Sequence, residues 1–68
     1  MLDFTLEGEF IHMIQLLKAA HIAQSGGEAQ MLVSEGAVKY NGEIDFRKRL
    51  KVKSGDTVEC RGQVIKVK

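Results

Sequence analysis

The order of its sequence patterns constrains the fold of this chain more than any other feature. Two segments with helical spacing of apolar residues come first, at about residues 9–20 and 28–36. Only short alternating segments, separated by glycine turns, follow them. Because no helix lies between these strand segments, parallel crossovers are not expected among them. The order predicts an α+β fold, with two short N-terminal helices packed on a small antiparallel or mixed sheet.

The first 20 residues divide into an arm and a helix. Residues 1–8 are predicted to form an extended N-terminal arm, which pairs as an edge strand or packs loosely, and residues 9–68 are predicted to form the single domain. A helix is predicted over residues 9–20, because apolar positions recur there near i, i+3, i+4 and i+7. The side chains of this face are Phe10, Ile11, Met13, Ile14, Leu17 and Ala20.

Ser25-Gly26-Gly27-Glu28 marks the start of the second helix. Serine followed three residues later by glutamate is a capping box, in which Ser25 accepts from the amide of Glu28 and Glu28 accepts from the amide of Ser25. Gly26 and Gly27 then leave amides uncovered at the positive end of the helix dipole. These amides could meet a phosphate. The alternative is that the glycines only relax a crowded turn.

Two hairpins are predicted in the second half of the chain. Asn41-Gly42 is a strong hairpin signal, and it follows an alternating segment that contains Val38 and Tyr40. TVEC and VIKV flank a second turn at residues 61–63. Gly36, just ahead of the first hairpin, is placed to close the second helix with a left-handed residue.

The densest positive charge lies in FRKRLKVK, which begins at Phe46. If this segment is extended, four of its five cations share one face, while Leu50 and Val52 point to the core. The cations of that face are Arg47, Arg49, Lys51 and Lys53. Side chains on one face of a strand are about 6.6 Å apart, so the row could follow a phosphate backbone, with Lys39 extending it. The alternative is an ordinary solvated face.

The charge distribution favours a polyanionic partner. Residues 1–35 hold one basic and five acidic side chains, a net charge of −4, whereas residues 36–68 hold nine basic and four acidic ones, a net charge of +5. Attraction between the two halves is the alternative explanation. The acidic N-terminal segment differs from a secretory leader, and the single cysteine fits a reducing compartment, so we expect a cytoplasmic protein.

Five other side chains could carry chemistry, but a structural role is favoured for each. Tyr40 and Phe46 could stack on bases, yet core packing is the better expectation for both. His12 and His21 lack a metal-ligand pattern and are expected at the surface. Cys60 lies in a strand pattern and is expected to be a semi-buried structural thiol. We therefore expect no catalytic residue, no metal and no cofactor.

Four features occur in order along the chain: Leu17 in the first helix, Ser25 to Ala29 with Leu32, Glu35 to Gly42, and Lys53 to Val58. With them, residues 11–67 resemble the S-four-like RNA-binding domain, the alpha-L motif of small-subunit ribosomal protein four, and especially its small free-standing bacterial members. The Arg-Leu-Asp usual in the first helix of that family is absent, and Gly26 stands where an arginine is common. Contacts made by those residues are therefore not carried over.

The resemblance implies that RNA is recognised by the two-helix surface and by the basic loop and strand after the Asn-Gly turn. The expected function is a non-catalytic module for structured RNA, ribosomal or transfer RNA. The residues expected to contact RNA are Ser25, Gly26, Gly27, Lys39, Asn41, Arg47, Lys48, Arg49 and Lys51. The alternative function is a protein-interaction adaptor that docks onto protein partners through its basic face.

Overall fold

The computed structural model describes residues 2–68, which form two helices and seven short strands. In chain order these are β1 (Leu2–Phe4), β2 (Ile11–His12), α1 (Met13–Ala19), α2 (Gly26–Ser34), β3 (Val38–Tyr40), β4 (Glu43–Ile44), β5 (Lys51–Val52), β6 (Thr57–Cys60) and β7 (Gln63–Val67). Five strands form one sheet in the order β1-β7-β6-β3-β4, and β2 pairs with β5. Only β1 and β7 pair in parallel among these described strands. The predicted α+β fold with a mixed sheet is confirmed.

The core lies between the two helices and one face of the five-stranded sheet. The helices and the loop between them contribute Met13, Leu16, Leu17, Ile22, Ala23, Ala29, Leu32 and Val33. The strands contribute Val38, Val52, Val58, Cys60, Ile65 and Val67. Because side chains alternate along a strand, Lys39 and its cross-strand neighbour Glu59 point to the opposite face of the sheet.

Helix α1 is shorter than the predicted helix, and the prediction that it begins near residue 9 is wrong. Ile11 and His12 pair with β5, and the first helical amide, that of Met13, donates to the carbonyl of Leu50 at 2.9 Å. A backbone contact from a distant segment thus fixes the start of the helix. Helical spacing of apolar residues could not reveal it, because Ile11 is apolar in either conformation.

Helix α2 begins as predicted, but its capping box is only half correct. The Ser25 hydroxyl accepts from the amide of Glu28 at 3.1 Å. The Glu28 carboxylate accepts from the amide of Gln24 at 2.6 Å, and not from Ser25 as expected. The helix closes at Gly36, whose φ of +77° is the predicted left-handed conformation.

Both predicted hairpins are confirmed. Asn41 and Gly42 have positive φ angles of 51° and 91°, as a two-residue primed turn between β3 and β4 requires. Arg61 and Gly62 repeat this pattern between β6 and β7, with φ angles of 53° and 74°.

The predicted extended row of cations is wrong for most of its length. Within residues 46–53, only Lys51 and Val52 form a strand, and the segment before them is a turn in which the amide of Leu50 faces the carbonyl of Arg47 at 3.4 Å. Val52 is buried as expected. The alternation fails before Lys51 because the chain turns after β4. This turn allows β5 to pair with β2.

The segment predicted as an N-terminal arm contains β1, which pairs with β7 at one edge of the sheet. The amide of Leu6 donates to the carbonyl of Lys68 at 2.7 Å, and the amide of Lys68 donates to the carbonyl of Phe4 at 2.8 Å. Leu2, Phe4 and Leu6 pack against the core. Neither helix in residues 2–68 has the length and apolar character needed to span a membrane.

Candidate nucleic-acid interface

Three consecutive cations lie in the exposed turn between β4 and β5. The turn is held by Asp45, whose carboxylate accepts from the amide of Arg47 at 2.9 Å and from its guanidinium Nη2 at 2.7 Å. The Arg47 guanidinium holds the pKa of Asp45 below its ordinary value. Asp45 thus shapes the turn and neutralises part of the Arg47 charge.

Lys48 and Arg49 are the more available cations of this turn. Both side chains are exposed, and among residues 2–68 no salt bridge joins either one to a carboxylate. Arg47 keeps 67% of its side chain exposed despite its ion pair, whereas that of Asp45 is only 15% exposed. We call residues 47–49 the basic turn. It presents three positive groups to solvent within three residues.

An apolar patch adjoins the basic turn. Phe46 is 62% exposed and Ile44 is 53% exposed, so the expectation that Phe46 packs in the core is wrong. Both lie close to Gly36: a β-carbon added there would come within 3.2 Å of the Phe46 ring and 3.6 Å of Ile44. Phe46 is excluded from the core because Asp45 and Arg47 hold the chain in a turn at the sheet edge.

The N-terminus of α2 forms a separate region. The amides of Gly26 and Gly27 precede the first intrahelical hydrogen bond, which Ala29 makes to the carbonyl of Ser25 at 3.0 Å. The Glu28 carboxylate lies at this end and pairs with Arg61 at 3.2 Å. Hydrogen bonding to the Gln24 amide, aided by Arg61, lowers the pKa of Glu28.

The predicted contact residues are not all in one compact patch. Ser25, Gly26 and Gly27 lie at the start of α2, whereas the basic turn and Phe46 lie near its end, beside Gly36. Nine helical residues separate these ends by about 14 Å. An RNA that contacts both regions must span about that distance.

Asn41 is occupied within the fold. Its Oδ1 accepts from the amide of Thr57 at 2.8 Å, and its Nδ2 donates to Asp56 at 3.3 Å. The Tyr40 hydroxyl donates to the same Asp56 carboxylate at 2.6 Å, and Tyr40 packs against the core as expected. Both side chains therefore fix the hairpin to the start of β6.

Lys39 and Lys51 occupy different surfaces. Lys39 extends from the outer face of the sheet beside Ile44, its cross-strand neighbour on β4. Lys51 lies opposite His12 in the two-stranded sheet, and its ammonium is 4.8 Å from the ring centre of Phe10, a cation–π distance. Lys39 thus adjoins the apolar patch, whereas Lys51 borders a second exposed aromatic side chain.

The side chains considered for catalysis have structural surroundings. Cys60 is fully buried, more than the predicted semi-buried position, and burial raises the pKa of its thiol. His21 is exposed as expected, with a left-handed φ of 62°, and His12 is half-buried beside Phe10. Within the described part of the chain, histidine, cysteine and carboxylate side chains form no group of three that could hold a metal.

Sequence reasoning misses the contacts of Arg61 and the exposure of Phe46. Arg61 was considered only as a turn residue, although it reaches Glu28 and the carbonyl of Ile22 at 3.3 Å. No local signal links Arg61 to a helix more than 30 residues earlier. For Phe46, core packing is favoured over base stacking on the sequence alone, although the cations that follow it are a local signal of exposure.

A domain model and a solved structure match the chain over nearly its full length. The model of the S4 domain matches residues 4–68. The solution structure of YbcJ from Escherichia coli superposes with a TM-score of 0.76 and 34% identity, covering 98% of this chain and 86% of that one. The description of that structure names an alpha-L motif involved in RNA binding.

Two related sequences agree with these matches. YbcJ of Escherichia coli (strain K12) is 35% identical over 57 residues, which cover 84% of this chain and 81% of YbcJ. A Bacillus subtilis (strain 168) protein named "Probable ribosome maturation protein RlbA" is 41% identical over 58 residues, covering 85% of this chain and 82% of that protein. The domain match, the shared topology and these identities together make this chain a member of the S4 domain family.

Proposed function

We propose that this protein is a non-catalytic module that binds structured RNA, ribosomal or transfer RNA, through the basic turn. The observation that carries the proposal is the basic turn itself, whose cations Arg47, Lys48 and Arg49 are exposed at the edge of the sheet. The alpha-L motif described for YbcJ and the ribosome-related name of the Bacillus subtilis relative support it. The proposal implies a cytoplasmic protein that acts on or near the ribosome.

Lys48 and Arg49 are proposed to provide the main phosphate contacts. Arg47 contributes less, because an RNA phosphate must compete with Asp45 for its guanidinium. Lys39, on the outer face of the sheet, and Lys51, beside Phe10, add positive charge on two other surfaces, and Ser25, Gly26 and Gly27 offer helix N-terminal amides about 14 Å away. Asn41 is proposed to act mainly by holding its turn. Backbone contacts of this kind recognise the shape of an A-form RNA more than its sequence.

The direct test is binding of the purified 68-residue chain to a labelled, folded ribosomal stem-loop, measured by fluorescence anisotropy at several salt concentrations. If about five phosphates are neutralised, the logarithm of affinity falls against the logarithm of salt with a slope of about −3.5 to −4.5. A DNA duplex of equal length is the nucleic-acid control. A slope near zero, or equal affinity for the DNA, would contradict the proposal.

A pair of double variants locates the interface. Lys48→Gln with Arg49→Gln is expected to weaken binding about tenfold and to reduce the salt slope by about 1.4–1.8, since two phosphate contacts are lost. Lys66→Gln with Lys68→Gln removes the same charge from β7 and its end, about 14 Å across the sheet from β4. This control is expected to change affinity less than twofold. Equal effects of the two variants would reduce the proposal to non-specific charge attraction.

A further inference from the structure

Phe46 keeps most of its side chain exposed while the tip of its aromatic ring lies beside Gly36. Its ring lies against Gly36, where an added β-carbon would come within 3.2 Å of one ring atom and 3.4 Å of another. The side chain nevertheless stays 62% exposed. The absence of a side chain at Gly36 therefore lets the ring rest on the backbone at the end of α2, with its remaining surface in water.

The charges around Phe46 indicate what could cover it. Arg47, Lys48 and Arg49 follow directly, and Lys39 lies beside Ile44, the apolar neighbour of Phe46 at Gly36. A partner that covers the ring must therefore combine a flat apolar face with closely spaced negative charge. An unpaired nucleotide has both properties, since its base stacks on aromatic rings and its phosphates pair with the adjoining cations.

We propose that Phe46 is a stacking platform for an unpaired nucleobase, and that the RNA bound here carries a bulged or looped nucleotide beside the phosphates held by Lys48 and Arg49. This inference rests on the proposed function and specifies its ligand. A fully paired RNA offers phosphates alone to the basic turn, because its bases are stacked within the helix. The two forms of RNA therefore differ in how much they depend on Phe46.

The test compares two labelled RNA stems that are identical except for one unpaired nucleotide. Wild-type protein is expected to bind the bulged stem about tenfold more tightly, the size of effect expected for one base stacked on an aromatic ring. Phe46→Leu, which stays apolar but loses the ring, is expected to remove this preference and to leave both the affinity for the paired stem and the salt slope unchanged. Phe46→Tyr is expected to retain the preference.

A matched control and a second readout make the result specific. Met31→Ala removes apolar surface from another exposed position, 50% exposed on α2, and is expected to preserve the preference for the bulge. A fluorescent base analogue at the unpaired position reports stacking directly, and its quenching by wild-type protein is expected to be lost in Phe46→Leu. Circular dichroism confirms that each variant is folded.

The outcomes separate this inference from the proposed function. Suppose that wild-type protein binds both stems with the expected salt dependence, and that Phe46→Leu changes the affinity for neither stem. The stacking inference is then wrong and the RNA-binding proposal stands. An equal loss of affinity for both stems in Phe46→Leu also overturns the stacking inference, because a stacking platform acts only on the unpaired base. If wild-type protein binds neither stem, the proposed function is wrong and this inference is wrong with it.

Discussion

At the scale of single residues, the Asp56 carboxylate joins the first hairpin to the loop that precedes β6. Its carboxylate accepts from the Tyr40 hydroxyl at 2.6 Å, the Lys53 amide at 2.8 Å and the Asn41 amide group at 3.3 Å. Burial alone would raise the pKa of Asp56, but these hydrogen bonds outweigh it, that from Tyr40 most, and leave the pKa lowered. The same contact with Asp56 raises the pKa of Tyr40.

Asp56→Asn is expected to lower the free energy of unfolding at pH 7 by about 1–3 kcal/mol, because it removes charged acceptors from three donors. The lowered pKa means that this stabilisation is complete above the ordinary aspartate pKa of about 3.9 and is lost as pH falls through the folded-state value. Urea unfolding at pH 7 and near pH 2 measures the difference. If Asp56→Asn lowers the free energy of unfolding by the same amount at both pH values, this role for the carboxylate is contradicted.

Residue identity explains why the aromatic side chains were only partly predictable. Tyr40 alternates with Lys39 beside buried Val38, so its packing against the core follows from the strand pattern. Phe46 lies outside any strand, and its exposure depends on the turn that Asp45 and Arg47 close. That ion pair is visible in the sequence only as two nearby opposite charges, and these do not specify a turn.

At the scale of elements, helix α2 is defined by signals close to its ends. Ser25 caps the first turn, Glu28 accepts the preceding amide of Gln24, and Gly36 closes the helix. Arg61 adds a contact from the second hairpin to the same end. The start of this helix is thus specified mainly by four consecutive residues.

Ser25→Ala is expected to destabilise the protein by about 1 kcal/mol, because the amide of Glu28 loses its acceptor at the helix N-terminus. Ser34→Ala is a matched control, since Ser34 is the exposed last residue of the same helix. Chemical denaturation of the two variants measures the difference. Equal stability of both would show that the Ser25 hydroxyl contributes nothing measurable.

The elements also show what local signals leave open. Both hairpins were predictable from their turn residues, Asn41-Gly42 and Gly62, because glycine and asparagine accept the positive φ angles of tight turns. The start of α1 was not, because it depends on pairing between β2 and β5 across about 40 residues. For the candidate site, the sequence indicated which cations are exposed, but only the path of the chain separates the basic turn from the start of α2.

At the scale of the whole molecule, the two edges of the five-stranded sheet have different surroundings. β1 lies at one edge beside β7, where Phe4 packs against the core, and β4 with the basic turn lies at the other. Three inter-strand steps, about 14 Å, separate β7 from β4. Changes at the first edge should therefore affect the stability of the fold without touching the candidate interface.

Phe4→Ala is expected to lower the free energy of unfolding by about 2 kcal/mol, less than for a fully buried phenylalanine, because Phe4 is half-buried. Affinity for RNA is expected to change less than twofold at temperatures where the variant is folded. Thr5→Ala, at the exposed next residue, is the matched control and should be nearly neutral. A large loss of RNA affinity in folded Phe4→Ala would show that the two edges are coupled.

The edge formed by β4 has a further consequence, for self-association. An edge strand offers unpaired backbone groups to any other strand. Here the exposed Ile44 and Phe46 add apolar surface that favours association. The strand is only two residues long, and the basic turn repels a second copy that approaches in the same way. The cations proposed to attract RNA thus also oppose aggregation. Because salt screens these charges, it weakens both the attraction of RNA and the repulsion between copies of the protein.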